Sequence, residues 1–333
     1  VRVKEPDLRA TTEAVFQKCG VPKDQAQLGA DVLMYADLLG VDTHGVSNML
    51  RSYVQGYNAR RTNPRPNWKI VKEGPTTAVI DGDNGLGLMV TPKAMEICIE
   101  KARKYGTSVV VIRNSGHLGA AGYHAVMAAK QDMVGWCMTG GGSSMVPTFG
   151  AEPRLGTNPI AGNKIGLAKR NGKAMLPGWV AKSDGTPDMD GGAAAEFAAG
   201  TLRMQLPLGS TRELGSHKGY SLAAIVDVLC GQLSFAPGFA TLATGRRGHF
   251  VAAYDIAAFG DVAEFKRNMD GELEGLRNTK PAPGHDRVFY AGLPEHETAI
   301  ERRRDGIPLH PEVIEWFRGI CSELSIPWRL TGK

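Results

Sequence analysis

Apolar residues recur at three- and four-residue spacing through the first seventy positions, which predicts a helical block. The first helix lies near Asp7 to Lys18. A second runs from Asp24 to Leu39 with Leu28, Val32, Leu33, Ala36 and Leu39 on one face. A third follows His44, with Val46, Met49, Leu50, Tyr53, Val54 and Tyr57 on a common face. Arg60 to Pro66, with prolines at 64 and 66, ends the block. From Thr76 the pattern shortens to strands: Thr77-Ala78-Val79-Ile80, then Ser108 to Ile112, then Val134 to Met138. Between them, Thr91-Pro92 is placed to open a helix that Gly106 stops, with Met95, Cys98, Ile99 and Ala102 inward, and a small-residue helix spans Ala120 to Lys130. Ala161 to Gln205 shows little pattern. Beyond it a buried apolar helix is expected over Ser221 to Leu233, and an amphipathic one from Asp261 with Phe265, Met269, Leu273 and Leu276. Pro311 starts a last helix whose Val313, Ile314, Phe317, Ile320, Cys321 and Leu324 are expected to pack on the opening helices.

The polar interruptions hold the candidate chemistry. In Asp42-Thr43-His44-Gly45-Val46, either Thr43 or Asp42 can cap the third helix, and His44 falls beside the helix's positive end, which favours a neutral, proton-accepting ring. Gly45 leaves room for a ligand near the backbone. Asn114 to Gly119 and Thr139 to Ser144 are glycine-bearing loops after strands, an arrangement that offers free amides to a phosphate. Neither matches G-x-G-x-x-G and no acidic residue follows at ribose-binding distance, so a standard Rossmann fingerprint is excluded. His217 and Lys218 sit at a helix start, where a cation and open amides converge on an anion. Pro281 to Asp286 is a proline-stiffened loop with Gly284 inside it. A plainer reading stands beside each: a histidine that caps or packs, ordinary tight turns, a lysine lying over a helix end.

Composition narrows the classes. In 333 residues, 42 glycines without a triplet repeat point to tight turns rather than collagen or disorder. The formal charge of +5 is scattered, and the Arg302-Arg303-Arg304 run reads as a solvated helix face, so no nucleic-acid footprint is expected. Five dispersed cysteines argue against a disulfide framework and for a reducing compartment, and no metal site is expected from their spacing. Without a leader or a spanning apolar run, a cytoplasmic protein with no membrane partner is expected.

Thr43-His44-Gly45-Val46, Asn114-Ser115-Gly116-His117-Leu118-Gly119, His217-Lys218-Gly219-Tyr220 and Pro283-Gly284-His285-Asp286, with Gly156-Thr157-Asn158-Pro159 among them, occur in one order. Together they resemble the type 2 malate/L-lactate dehydrogenase family, which includes ureidoglycolate and sulfolactate dehydrogenases, diketogulonate reductase and piperideine/pyrroline-2-carboxylate reductases. The resemblance runs from the first helices to Ile326.

It implies an α/β (α+β) fold in which a non-Rossmann NAD(P)-binding domain on a largely antiparallel sheet (71–160 and 210–291) joins a helical substrate and dimerisation domain (1–70 and 292–333). Residues 161–209 would form a small substrate-side subdomain. It also implies a homodimer, a small carboxylate substrate and NAD or NADP as cofactor. By the same resemblance His44 is the acid-base residue and His117 lines its pocket. Gly119, Ala120, Thr157, Asn158, Pro159, His217, Lys218, Gly284, His285 and Asp286 hold the cofactor.

Two departures stand out. The family's carboxylate-clamping arginine, four residues after the first histidine, is Asn48 here, and Arg51 is the nearest substitute beside Thr43 and Asn48 on the substrate side. A strand with an Asp-Met-Ala-Thr-like sequence is missing at Ile160-Ala161-Gly162-Asn163. Either the protein lacks it or the sequence is closed up over it; the second fits better, because the pattern continues to the join from both sides, and Ala193 to Gln205 has the look of another join. The expected reaction is hydride transfer between nicotinamide and a 2-hydroxy or 2-oxo acid of the malate or lactate kind. Reduction of a cyclic imino acid and a non-catalytic nucleotide-binding scaffold are the alternatives.

Overall fold

The β-branched run Val109-Val110-Val111-Ile112 forms the middle of a sheet, where stiff branched side chains suit a strand covered on both faces. The computed structural model describes residues 1–142, 144–156, 176–189, 204–236 and 247–332. The sheet has five strands in the order β2 (Lys69–Glu73), β3 (Thr77–Asp81), β4 (Thr107–Ser115), β6 (Arg247–Asp255) and β5 (Met133–Gly140). Among the described strands of this sheet only β3 and β4 pair in parallel, with helix α4 (Gly87–Tyr105) as their crossover; the other pairs are antiparallel. The sheet is therefore largely antiparallel, as expected, and the fold is mixed α/β. Strands β3, β4 and β5 run the same way, so Asp81, Ser115 and Gly140 end at one edge, where β6 begins. Both glycine-bearing loops leave from that edge.

Helices α4 and α5 (Ala121–Ala129) cover one face, with Met95 of α4 in the same core as Ile80, Val110, Ile112 and Val251. The other face packs Val111, Met138 and Phe250 on Cys230, in a π-helical turn (Val228–Gln232) that extends α6 (Ser216–Asp227). A second core joins α1 (Glu5–Lys18), α2 (Lys23–Leu38), α3 (Val46–Asn58) and the last helix, α9 (Pro311–Glu323), through Phe16, Leu33, Leu50 and Phe317. The tail thus packs on the opening helices, and strand β1 (Arg2–Val3) pairs with β7 (Ile307–Pro308) to fasten the two ends.

Several elements depart from the sequence pattern. Helix α4 begins at Gly87, not at Thr91, and takes Pro92 inside its second turn. A Cβ at Gly87 would lie 2.7 Å from both the Gly116 carbonyl and His249 Nε2, so this glycine is fixed by a close approach of backbone. Strand β2 carries no inward row, all five residues being exposed, and therefore shows no alternation. Strand β6 places Ala252 and Ala253 beside Phe250 and Val251, and its alanines carry no strand preference. Helix α7 (Val262–Arg277) is capped by Asp261, which accepts the Glu264 N–H at 2.7 Å, but it buries none of its residues: Phe265, Met269 and Leu276 stay exposed. On α6, Leu222 and Ile225 also face outward, so that helix is only partly buried.

The turn before α3 is organised by a residue outside it. Asp37, buried in α2, accepts the Val46 N–H at 2.8 Å, and Gly45 occupies the cap position. Neither Thr43 nor Asp42 caps the helix. The space at Gly45 belongs to Asp37, whose carboxylate would overlap a Cβ there, and not to a ligand. Arg302 of α8 (Leu293–Asp305) donates to the Asp37 carbonyl at 2.6 Å and to Asp42 Oδ1 at 2.5 Å, so it is a structural tether rather than part of a solvated face.

Burial pushes the Asp37 carboxyl up from 3.8 to about 7, against the lowering effect of the Val46 N–H. A carboxyl raised in the folded state contributes its stability fully below its unfolded pKa and loses it as pH rises through about 7. Asp37→Asn keeps an oxygen for Val46 without the charge. Its melting temperature should vary less than wild type between pH 5 and 8 and exceed it at pH 8. Asp37→Ala strands a buried N–H and should cost about 1–3 kcal/mol at pH 5 in denaturant titrations. Gly87→Ala should likewise lower the melting temperature, because its methyl displaces the Gly116 carbonyl.

Candidate active site

Helix α3 and the loop after β4 bring two imidazoles together. The rings of His44 and His117 stack with centroids 5.6 Å apart and planes inclined by 17°. His44 lies just before the Gly45 cap, and its Nδ1 meets the Thr43 hydroxyl at 2.8 Å. The Tyr53 hydroxyl, on the inward face of α3, reaches His117 Nδ1 at 2.8 Å. The Gly119 N–H donates to the same nitrogen at 3.1 Å. An amide can only donate, so His117 Nδ1 is the acceptor and its neutral ring carries the proton on Nε2.

The loop that presents His117 is held at three successive carbonyls. His249 Nε2 bonds to the Gly116 carbonyl at 2.9 Å, the Leu88 N–H donates to the His117 carbonyl at 3.2 Å, and His124 Nε2 bonds to the Leu118 carbonyl at 2.9 Å. Gly119 turns the chain in the left-handed region at φ 74°, and a Cβ there would lie 2.7 Å from Val32 Cγ1. Both supporting histidines are buried and held neutral: burial lowers His124 to about 4 and His249 to about 3, with nearby Arg247 adding to the second.

Burial is also the main reason His44 lies below its usual pKa, followed by the charge of Arg247. His117 is lowered further by burial, Arg247, His44 and His249 in that order. The neutral state expected for His44 thus follows from desolvation and a nearby guanidinium, where the sequence suggests a helix dipole.

Arg247 opens β6 opposite Ser115, two residues before His117, and its own pKa is lowered by burial. Among the described residues it has no ion pair. The sequence pattern does not single out Arg247, Tyr53, His124 or His249. Arg247 and His249 could have been noticed as polar residues leading into the apolar stretch that starts at Phe250.

The remaining candidates are more dispersed. Asn48 turns its amide back to donate to the Thr43 carbonyl at 3.0 Å. Arg51 is over half exposed and lies 3.7 Å from Glu312 of α9, with no bond to either imidazole; a surface ion pair occupies the nearest substitute for the missing clamp. Gly119 spends its N–H on His117, and Ala120 stands at the N-cap position of α5 without a side-chain cap. His217 and Lys218 form the first turn of α6, with Arg212 Nη1 2.6 Å from His217 Nδ1, on a groove of about 350 Å³ lined also by Gly209, Gly215 and Leu222. Gly284, His285 and Asp286 lie on an exposed loop after α7 and bond neither to the histidine pair nor to the His217 turn. Thr157, Asn158, Pro159 and the Ile160–Asn163 junction lie outside the described residues. Among the described residues no cluster suits a metal ion, and no helix is long and apolar enough to cross a membrane.

Residues 3–163 and 160–318 match the malate/L-lactate dehydrogenase family, in two stretches that overlap at 160–163, the junction seen in the sequence. A malate dehydrogenase of Pyrococcus abyssi is 35% identical over 98% of this chain and 96% of its own length. An L-sulfolactate dehydrogenase of Methanocaldococcus jannaschii is 34% identical over 94% of each. The crystal structure of malate dehydrogenase from Entamoeba histolytica superposes with a TM-score of 0.92 at 33% identity, covering 98% of this chain and 99% of that one. With its histidine pair, its largely antiparallel sheet and these relatives along almost its whole length, the chain belongs to the malate/L-lactate dehydrogenase family.

Proposed function

We propose that this chain is an NAD(P)-dependent dehydrogenase of small 2-hydroxy acids, interconverting malate- or lactate-like substrates with their 2-oxo acids. The observation that carries the reading is the His44–His117 stack and the different partners of its two Nδ1 atoms. The Thr43 hydroxyl can donate or accept, so it can follow His44 through both protonation states. His117 has no such freedom, because protonating Nδ1 would set it against the Gly119 N–H. His44 is accordingly the acid-base residue. His117, kept neutral, donates from Nε2 to the substrate oxygen. In the oxidative direction the hydroxyl proton passes to His44 as the hydride leaves C2; in reduction the proton returns.

Membership in a dehydrogenase family implies a nicotinamide cofactor, which when bound accepts or returns the hydride. The cations at the start of α6 suit its diphosphate: Arg212, His217 and Lys218 gather at a helix N-terminus beside an open groove, which Glu213 also lines. A homodimer is part of the same reading. The outward Ile225 and Val228 of α6 and the following turn, and the uncovered row on α7, supply apolar surface for a second copy.

His44→Gln should lower kcat about 10²- to 10⁴-fold while leaving the dissociation constant of the reduced nucleotide within a few-fold, by stopped-flow and fluorescence titration. Steady-state assays with oxaloacetate, pyruvate, ureidoglycolate and piperideine-2-carboxylate, each with NADH and NADPH, test the substrate class. Preference for the cyclic imine would replace the hydroxy-acid reading, and tight nucleotide binding without turnover would favour a scaffold. Because His44 is lowered, kcat/KM for hydroxy-acid oxidation should hold through pH 6.5 and fall only at more acidic pH.

A further inference from the structure

We propose that Arg247 binds the C1 carboxylate of the substrate, taking over the task that Asn48 and Arg51 do not perform. This rests on the dehydrogenase reading above.

Position is the first argument. Arg247 stands at the sheet edge where β4 ends, in register with Ser115, and the chain from Ser115 leads directly into the loop that carries His117. A C1 carboxylate is bonded to the reacting C2 carbon, so its receptor must lie next to the groups that meet the C2 oxygen. The second argument is the lack of a partner. A guanidinium partly withdrawn from water favours a carboxylate or several acceptors; half-buried Arg247 has Tyr53 nearby but no hydrogen bond or ion pair among the described residues. A substrate carboxylate would supply two oxygens in the planar arrangement that a guanidinium matches.

The alternatives are committed elsewhere. The Asn48 amide is spent on the Thr43 carbonyl, and Arg51 lies on the surface beside Glu312. The depressed pKa values of both imidazoles agree with a positive charge nearby that no carboxylate among the described residues neutralises.

Arg247→Gln and Arg247→Lys test the assignment against wild type, with pyruvate and oxaloacetate as paired substrates. Loss of the bidentate bond should raise KM for both substrates roughly 10- to 100-fold in the Gln variant, with partial recovery in the Lys variant. NADH affinity, measured by fluorescence without substrate, should stay within about twofold, and the acid limb of the oxidation profile should move up in pH as His44 loses a neighbouring charge. Unchanged KM in a folded variant, a loss confined to oxaloacetate, or a loss of NADH affinity would each overturn the proposal. So would a KM rise seen only with Arg51→Ala. Wild type that turns over none of these acids would instead overturn the dehydrogenase reading.

Discussion

Burying polar groups is the constraint on which this site depends. A group fully withdrawn from water is best neutral or matched, because an unmatched charge in the interior is expensive; Arg247, unpaired among the described residues, keeps part of its surface exposed. Four imidazoles meet that condition by staying neutral: His124 and His249 on backbone carbonyls, and His44 and His117 in the stacked pair. Asp37 meets it with an amide and a raised pKa. The same desolvation makes the site chemically useful, since a neutral His44 is ready to take a proton at neutral pH.

That constraint also explains how two separately packed regions share one site. His44 belongs to the helical core, through α3, and His117 to the sheet, through the loop after β4. Tyr53 crosses between them to His117, and Gly119 presses against Val32 of α2. Close contacts at glycines and directed bonds from buried side chains therefore set the distance between the rings. Backbone bonds at 116, 117 and 118 leave the His117 loop little freedom to drift, which favours a preorganised pocket.

Much of the architecture is legible in the sequence where a pattern has one buried face. The inward row of α3 is such a case, with all six of its expected residues buried. The ends and edges are not legible, for identifiable reasons. An exposed edge strand such as β2 has no alternation to read. Ala252 and Ala253, covered on both sides of β6, lack the bulk that marks a strand. The cap of α3 comes from Asp37, nine residues before the amide it serves, so a search next to His44 finds Thr43 and Asp42 instead. Within the site, motif order singles out the two histidines, but Arg247 carries no motif and is recognised only when β6 is paired to β4.

The substitution at Asn48 and the charge at Arg247 have one physical interpretation. An arginine on α3 one turn after His44 would carry a long cationic side chain toward the substrate and would leave the Thr43 carbonyl without its present donor. The short Asn48 amide closes the turn instead, bonding to Thr43, whose hydroxyl in turn meets His44 Nδ1. In the proposed reading, placing the cation on β6 separates the two jobs: the turn before α3 orients the proton acceptor, and the sheet edge supplies positive charge. The charge then sits in register with Ser115, at the end of the strand that leads to His117.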